Sequence, residues 1–258
     1  MERHIIVCIK AVIGQVPGKR VVRAPDVLAL NPFDRPALEV ALCMKEESSG
    51  TVTAISMAPE SAAFALSEAM AIGVDRGILV CDPALAGSDT LATSTALAAA
   101  IRKVGPFDLV LFGTRTADSD TGQVGPQTAV LLDLPLVTGV WSIEQTDVSL
   151  LIERRADGFQ ERFEVSLPAA LTIHPGSVQP RDVGLSGIEQ AFEEGEVEKW
   201  SLSKLDLSPE QVGWSGSATL VASWTRAVKE KKCEFLSGAA EEQADELVRR
   251  LIKSGLIG

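Results

Sequence analysis

Four short runs along the chain are nearly continuously apolar: residues 4–10 (HIIVCIK), 51–58 (TVTAISMA), 77–82 (GILVCD) and 108–113 (DLVLFG). Runs of this length, β-rich and without alternation, predict strands covered on both faces. Between them apolar positions recur at helical spacing: Ala37, Val40, Ala41 and Met44, then Ala62, Ala65, Leu66, Ala69 and Met70, then Leu91, Leu97, Ala100 and Ile101. Strands alternating with helices predict an α/β fold built on a doubly wound, mostly parallel sheet.

Boundary residues refine this reading. Pro59-Glu60-Ser61 opens the second helix, Gly73 suits its left-handed end, and Ser88-Asp89 caps the third. A fourth helix is expected over 121–132, before Leu134-Pro135, and Pro168 leads into a fifth apolar strand over 169–173. Between these, VSLLIERRA and FQERFEV flank Asp157-Gly158, a pair that accepts the positive φ angles of a type I′ turn and so predicts a β-hairpin. After Gly176 the alternation is lost and the chain becomes polar, with five glutamates from Glu189 to Glu198. Such a run reads as a solvated arm, or as an acidic docking surface. The chain closes on an amphipathic helix over 239–252, with Ala240, Ala244, Leu247, Val248 and Leu251 on one face. The expected division is therefore an α/β core over 1–178 and an extended C-terminal arm over 179–258. Leu185, Ile188, Trp200, Leu202, Leu205 and Trp214 would need a partner surface to cover them.

Composition narrows the partners. The 258 residues carry 24 basic and 35 acidic side chains, a net charge of -11 that repels phosphate backbones and anionic lipids. Neither nucleic acid nor direct membrane insertion is expected. The N-terminal apolar run is too short for a secretory signal, and no uncharged stretch of about 18 apolar residues occurs, which together predict a soluble, cytoplasmic chain. Cys8, Cys43, Cys81 and Cys233 are too dispersed for a zinc site or a redox dithiol, and the first three, in apolar runs, are expected to be buried.

The common nucleotide, metalloprotease and hydrolase signatures are all missing, and His4 and His174, each beside a strand end without a partner motif, read as structural. The chemically richest stretch is Gly113-Thr-Arg-Thr-Ala-Asp-Ser-Asp-Thr-Gly-Gln-Val-Gly-Pro126, just after the fourth strand. In an open parallel sheet, ligands bind beyond the carboxyl ends of strands, and a helix start there offers free N–H groups to a phosphate. Asp120 or Thr121 is expected to cap that helix, with Thr121, Gly122, Gln123 and Val124 as its first turn and the hydroxyls of Thr114, Thr116, Ser119 and Thr121 as further donors. The same composition serves an ordinary βα connection. A second loop of small hydroxylated residues, Gly87-Ser-Asp-Thr-Leu-Ala-Thr-Ser94, favours a nucleotide or dinucleotide pocket.

Several segments in order resemble the β subunit of electron-transfer flavoproteins: VCIKAV, then Asn31-Pro32-Phe33-Asp34 before ALEVALCMKE, then ALSEAMAIGVDRGILV, DSDTGQVGP, and IERRADGFQERFEVSLPAALT. The resemblance covers almost the whole chain. It implies a Rossmann-like, adenine-nucleotide-binding core in which Cys8 and Asn31, Pro32, Phe33 and Asp34 lie near adenine and ribose, and Met57 at the second strand end. Residues Gly113, Thr114, Arg115, Thr116, Ala117, Asp118, Ser119, Asp120, Thr121, Gly122, Gln123 and Val124 would wrap the phosphates, with Asp89, Thr90 and Thr93 from the second loop.

The resemblance further implies a heterodimer with an α subunit carrying FAD, on which the C-terminal arm docks, and exchange of electrons with an acyl-CoA dehydrogenase or similar redox partner through an exposed leucine. Leu185 matches that residue, with Ile188 beside it. The local pocket holds AMP in respiratory members and a second FAD in electron-bifurcating ones, where NADH can donate a hydride. The Ser88–Ser94 and TGQVGP segments are more similar to the bifurcating, FixA-like branch. Thr114-Arg115-Thr116 replaces the Lys/Arg-Gln-Ala usual there, which leaves AMP or FAD open. No side chain is implied as a catalytic acid, base or nucleophile. The alternative is a nucleotide-binding enzyme of the ATP-pyrophosphatase or adenylyltransferase type, which needs a Gly/Ser-rich loop where this chain reads Lys10-Ala-Val-Ile-Gly14.

Overall fold

The computed structural model describes residues 2–13, 28–146, 148–223 and 233–257, so the Gly14 end of the segment after the first strand lies outside the described residues. The expected parallel strands are β1 (His4–Cys8), β4 (Thr51–Met57), β5 (Arg76–Val80), β6 (Leu109–Gly113) and β10 (Ala169–Ile173). Their continuous apolar runs are explained by two buried faces. Ile5 and Val7 of β1 enter one core with Leu38 and Leu66, whereas Ile6 and Cys8 enter the other with Leu97 and Ile101.

Leu38 and Leu66 belong to α1 (Arg35–Ser48) and α2 (Phe64–Ala71), while Leu97 and Ile101 belong to α3 (Thr90–Val104). Asp89 caps α3, its carboxylate accepting from Ala92 N at 2.9 Å. Gly73, at φ 121°, takes the chain away from α2 in a conformation that a side chain would strain.

Counting β7 (Leu136–Gln145), β8 (Ser149–Ala156), β9 (Phe159–Ser166) and β11 (Glu198–Trp200), the order within the large sheet is β11-β5-β4-β1-β6-β10-β7-β8-β9. From β1 the chain winds outward through β4 and β5, then crosses back to β6, so the winding reverses between β1 and β6. Three further strands extend the far side: β7, β8 and β9. The β8–β9 hairpin turns at Asp157 and Gly158, with φ 51° and 81°, as a type I′ turn requires. Strand β7, absent from the sequence reading, pairs parallel with β10 and antiparallel with β8. Its mixed burial, with a register shift on either side, gives no clean period. A separate two-stranded ribbon joins β2 (Ala11–Ile13) to β3 (Leu28–Leu30).

The segment after Gly176 corrects two expectations. Strand β11 (Glu198–Trp200) pairs parallel with β5 at the sheet edge, so strand pairing does continue beyond residue 176. Trp200, Leu202 and Leu205, expected to await a partner, are 2%, 5% and 5% exposed inside this chain's own core. Leu185, Ile188 and Trp214 do remain exposed. Cys43 and Cys81 are only partly buried, unlike Cys8.

Residues Met1–Leu220 form one compact unit and Val221–Gly258 a second. The second holds α6 (Ala240–Lys253), braced by Glu246–Arg249 and Glu246–Arg250 pairs, with Leu247, Val248 and Ile252 exposed. Among the described residues no helix is long and apolar enough to cross a membrane.

Trp200→Ala should lower the free energy of unfolding by about 3–5 kcal/mol, the usual cost of emptying a buried aromatic site. Leu185→Ala, at an exposed position, should change it by less than about 0.5 kcal/mol. Urea titrations of both variants check this. A loss below about 1 kcal/mol for Trp200→Ala would mean that β11 is no part of the stable core.

Candidate nucleotide-binding site

The reversal of winding leaves a crevice beyond the carboxyl ends of β1 and β6, the position at which open α/β sheets bind ligands. Two sequence segments meet there. The β2–β3 ribbon returns the chain to the end of β1, where Asn31 N donates to Lys10 O at 2.9 Å and starts the Asn31–Asp34 turn. Asp34 then accepts from Lys10 N at 2.8 Å, and its carboxylate packs closely against Gly113, the last residue of β6. Gly113 is required at this point, because a Cβ there would collide with the Asp34 carboxylate and the Phe33 carbonyl.

Asn31 has no exposed surface, and both ends of its side chain hold the loop after β6. Its Nδ2 donates to Arg115 O at 2.9 Å, and its Oδ1 accepts from Ala117 N at 3.2 Å. Asn31 and Asp34 thus shape the site from beneath. Pro32 is exposed, and Phe33 is half-buried under the Arg115 guanidinium, 4.5 Å from its ring centre. The Cys8 thiol is buried at the end of β1, where burial and then the nearby Asp34 carboxylate raise its pKa, so it stays protonated. Met57 is half-buried at the end of β4.

Helix α4 spans Val124–Leu131, with Gln123 at its N-cap and no capping side chain. This corrects the expected start at Thr121 and the expected caps Asp120 and Thr121. The reason is backbone conformation: Asp120 and Gly122 have φ of 51° and 62°, outside the helical region. The loop therefore reaches the helix by two left-handed steps, after a turn closed by Asp120 N to Thr116 O at 3.0 Å. Helix geometry leaves the N–H groups of Val124 and Gly125 without an intrahelical acceptor.

The second loop joins this one. Thr90 Oγ1 donates to Gln123 Oε1 at 3.0 Å, and Ser94 Oγ donates to Val124 O at 3.2 Å. Thr93 N is engaged with Asp89 O, and the Asp89 carboxylate with Ala92 and Thr219, so Asp89 acts within the fold.

Lys10 was not singled out from the sequence. Its Nζ lies 2.8 Å from both carboxylate oxygens of Asp118, and Arg115 lies 3.5 Å from Asp120, so each cation of the loop faces an acid. Burial works against the Asp118 charge, but Lys10 holds its pKa below the usual value. A lone lysine directly after β1, with an acidic loop after the neighbouring strand, was the available signal. Thr116 and Ser119 hydroxyls pair at 2.9 Å, and Ser119 N donates to Asp118 at 2.7 Å. The donor set of hydroxyls, a free helix start and two balanced cations fits a phosphate ester. Among the described residues no group of His, Cys, Asp and Glu is placed to hold a metal. His4 lies at the opposite, amino-terminal edge of the sheet, bonded to Thr53 and Pro106, and His174 packs on Trp141.

Comparison with known proteins identifies the family. An electron transfer flavoprotein domain model matches residues 20–205. The chain is 37% identical over 258 residues to the electron transfer flavoprotein subunit beta of Thermoanaerobacterium thermosaccharolyticum, covering 96% of this chain and 97% of that one. It is 39% identical over 236 residues to the protein FixA of Azotobacter vinelandii, covering 85% and 82%. It is also 38% identical over 230 residues to the caffeyl-CoA reductase-Etf complex subunit CarD of Acetobacterium woodii, covering 88% and 87%. The chain belongs to the electron transfer flavoprotein family. Its role is electron transfer in a flavin-dependent system.

Asp34 supplies a test of the brace beneath the site. Burial pushes its pKa up to about 7, against the opposing pull of the Lys10 amide, the Asn31 side chain and the Lys10 charge. Since the folded value exceeds the unfolded one, the folded protein keeps a proton here that the unfolded chain releases between about pH 4 and 7. Stability from this residue is therefore full at low pH and falls as the pH rises through that window. The stability margin of the natural protein over Asp34→Asn should shrink from pH 5 to pH 8 in urea titrations. A margin that stays level or grows would show that Lys10 and Asn31 hold the carboxylate ionised throughout.

Proposed function

We propose that this chain is the small, β subunit of a heterodimeric electron-transfer flavoprotein in the cytoplasm, paired with an α subunit that carries FAD and holding a second nucleotide, AMP or FAD, in its own crevice. The observation that carries this is the Gly113–Val124 loop, pinned by Asn31 beside the free start of α4 at the point where the winding of the sheet reverses.

When bound, flavin supplies the one- and two-electron chemistry, and the protein supplies orientation and electrostatics. The N–H groups of Val124 and Gly125 receive a phosphate, with the hydroxyls of Thr114, Thr116, Ser119 and Thr121 around it. Lys10 and Arg115 already face Asp118 and Asp120, so the loop is close to neutral and a phosphate must exchange with those carboxylates. Recognition then rests on backbone donors and hydroxyls more than on net charge. No side chain of this chain moves a proton in the transfer.

Leu185 and Ile188, exposed at 88% and 43%, dock the redox partner, an acyl-CoA dehydrogenase or a related enzyme. A second reading places FAD in the local crevice, where NADH could be oxidised and its electron pair split between two acceptors. It is supported by the similarity to FixA and to CarD, a subunit of a caffeyl-CoA reductase-Etf complex.

Acid release from the purified heterodimer, with FAD and AMP quantified, decides which nucleotide the crevice holds: one FAD with one AMP supports simple electron shuttling, two FAD the second reading. Gly122→Val should deplete the nucleotide of this subunit and leave the FAD of its partner. The backbone φ of 62° strains valine, and the added Cβ would sit 3.1 Å from Thr114 O. Full retention of both nucleotides by the variant would remove the loop from the site.

A further inference from the structure

The segment that leads into the docking residues has no regular structure from Pro175 to Gly184, yet one of its side chains is held from several directions. Arg181 Nε lies 3.1 and 3.0 Å from the two carboxylate oxygens of Glu39, its Nη2 donates to one at 3.0 Å, and its backbone N–H donates to the other at 2.9 Å. Nη1 reaches Glu46 at 2.6 Å. Glu39 and Glu46 stand seven residues apart on α1, two turns along the same face. Burial alone would raise the Glu39 carboxyl, but the bonds from Arg181 hold it below its ordinary value. A buried carboxylate needs such a partner.

A second seat follows six residues later. The short helix α5 (Leu185–Glu189) lies against the end of α2, and Gly187 sits where any Cβ would collide with the Ala71 carbonyl. Ala191, 4% exposed, anchors the following π-helical turn. Between and beyond these two seats, Leu185, Ile188 and Phe192 all face solvent, Phe192 at 52%. Spaced three and four apart, they form one apolar surface that no other described residue of this chain covers.

We propose that Arg181, by bracing the irregular segment before α5 against Glu39 and Glu46, is a positioning residue for electron transfer, holding Leu185, Ile188 and Phe192 in the geometry that the redox partner binds. This rests on the reading of Leu185 as a docking residue. A side chain already ordered before encounter spares the complex the entropy of ordering it, so the clamp acts on partner affinity. Arg181 bonds to Glu39 and Glu46 and to none of the crevice residues, so the rate at saturation is independent of it.

The test uses the intact flavin-loaded heterodimer and an acyl-CoA dehydrogenase, reduced by its own acyl-CoA, that gives saturable turnover with the natural protein. Arg181→Ala should raise KM for the dehydrogenase about five- to tenfold with kcat and flavin content unchanged, as expected when a preordered surface is released. Arg181→Lys, which keeps the charge and loses the fork, should fall between. Amide exchange over residues 184–192 should accelerate in Arg181→Ala without any partner present. In a Leu185→Ala background, Arg181→Ala should add less than about twofold, because both act on one surface.

An unchanged KM in Arg181→Ala beside a raised KM in Leu185→Ala would overturn the positioning role and leave the docking reading standing. An unchanged KM in Leu185→Ala would overturn the docking reading, and the proposal with it. Fully additive effects would also overturn it, since Arg181 would then act elsewhere. If Arg181→Ala does not fold, Glu46→Gln leaves Glu39 paired and should raise KM by about two- to threefold, a smaller release of the same surface. An unchanged KM in that variant and in Arg181→Lys would equally count against the clamp.

Discussion

One buried carboxylate joins the two strand ends between which the sheet changes its direction of winding. At such a point the connections leave toward opposite faces, so the strand ends have no reason to stay together beyond the last ladder bond. Asp34 takes the amide of Lys10 just past β1 and packs against Gly113 at the end of β6, bridging that gap with a single side chain. The closeness of the bridge explains the glycine, since any side chain at 113 would occupy the place of the carboxylate. Asn31 extends the brace outward by tying Arg115 and Ala117 to the same turn. A segment that resembles a ligand-contact motif in sequence is therefore, in large part, the scaffold on which the phosphate loop rests.

The loop itself balances its charges. Two cations and two acids at its rim pair off, while the hydroxyls and the start of α4 remain as neutral donors. Charge pairing at a partly exposed rim is weak and easily exchanged, which suits a site that must admit a phosphate without an excess of positive charge. The overall charge of -11 makes that economy consequential, because the rest of the molecule repels anions at long range.

The same principle of bracing recurs where the chain leaves the sheet. Arg181 against α1 and Gly187 against α2 fix an otherwise irregular segment, and β11 returns it to the sheet edge. The exposed surface of Leu185, Ile188 and Phe192 is thus carried on a braced frame, and no other described residue covers it.

The sequence by itself determined the elements whose signals are local. Continuous apolar runs fixed four parallel strands, because burial on both faces leaves no polar alternation. Asp157-Gly158 specified a type I′ turn through its φ angles, and Asp89 a helix start through its short carboxylate. Tertiary structure alone decided the rest. Strand β7 has mixed neighbours and hence no period, and β11 is three residues whose edge position depends on β5 being there. The true start of α4 followed from left-handed residues at 120 and 122, whose conformation the capping residues around them masked. Lys10 and Arg181 acquired their partners only through folding, across 108 and 142 residues of chain. Such pairings have no local signature, because a charged side chain is read as solvated until the fold brings its partner to it.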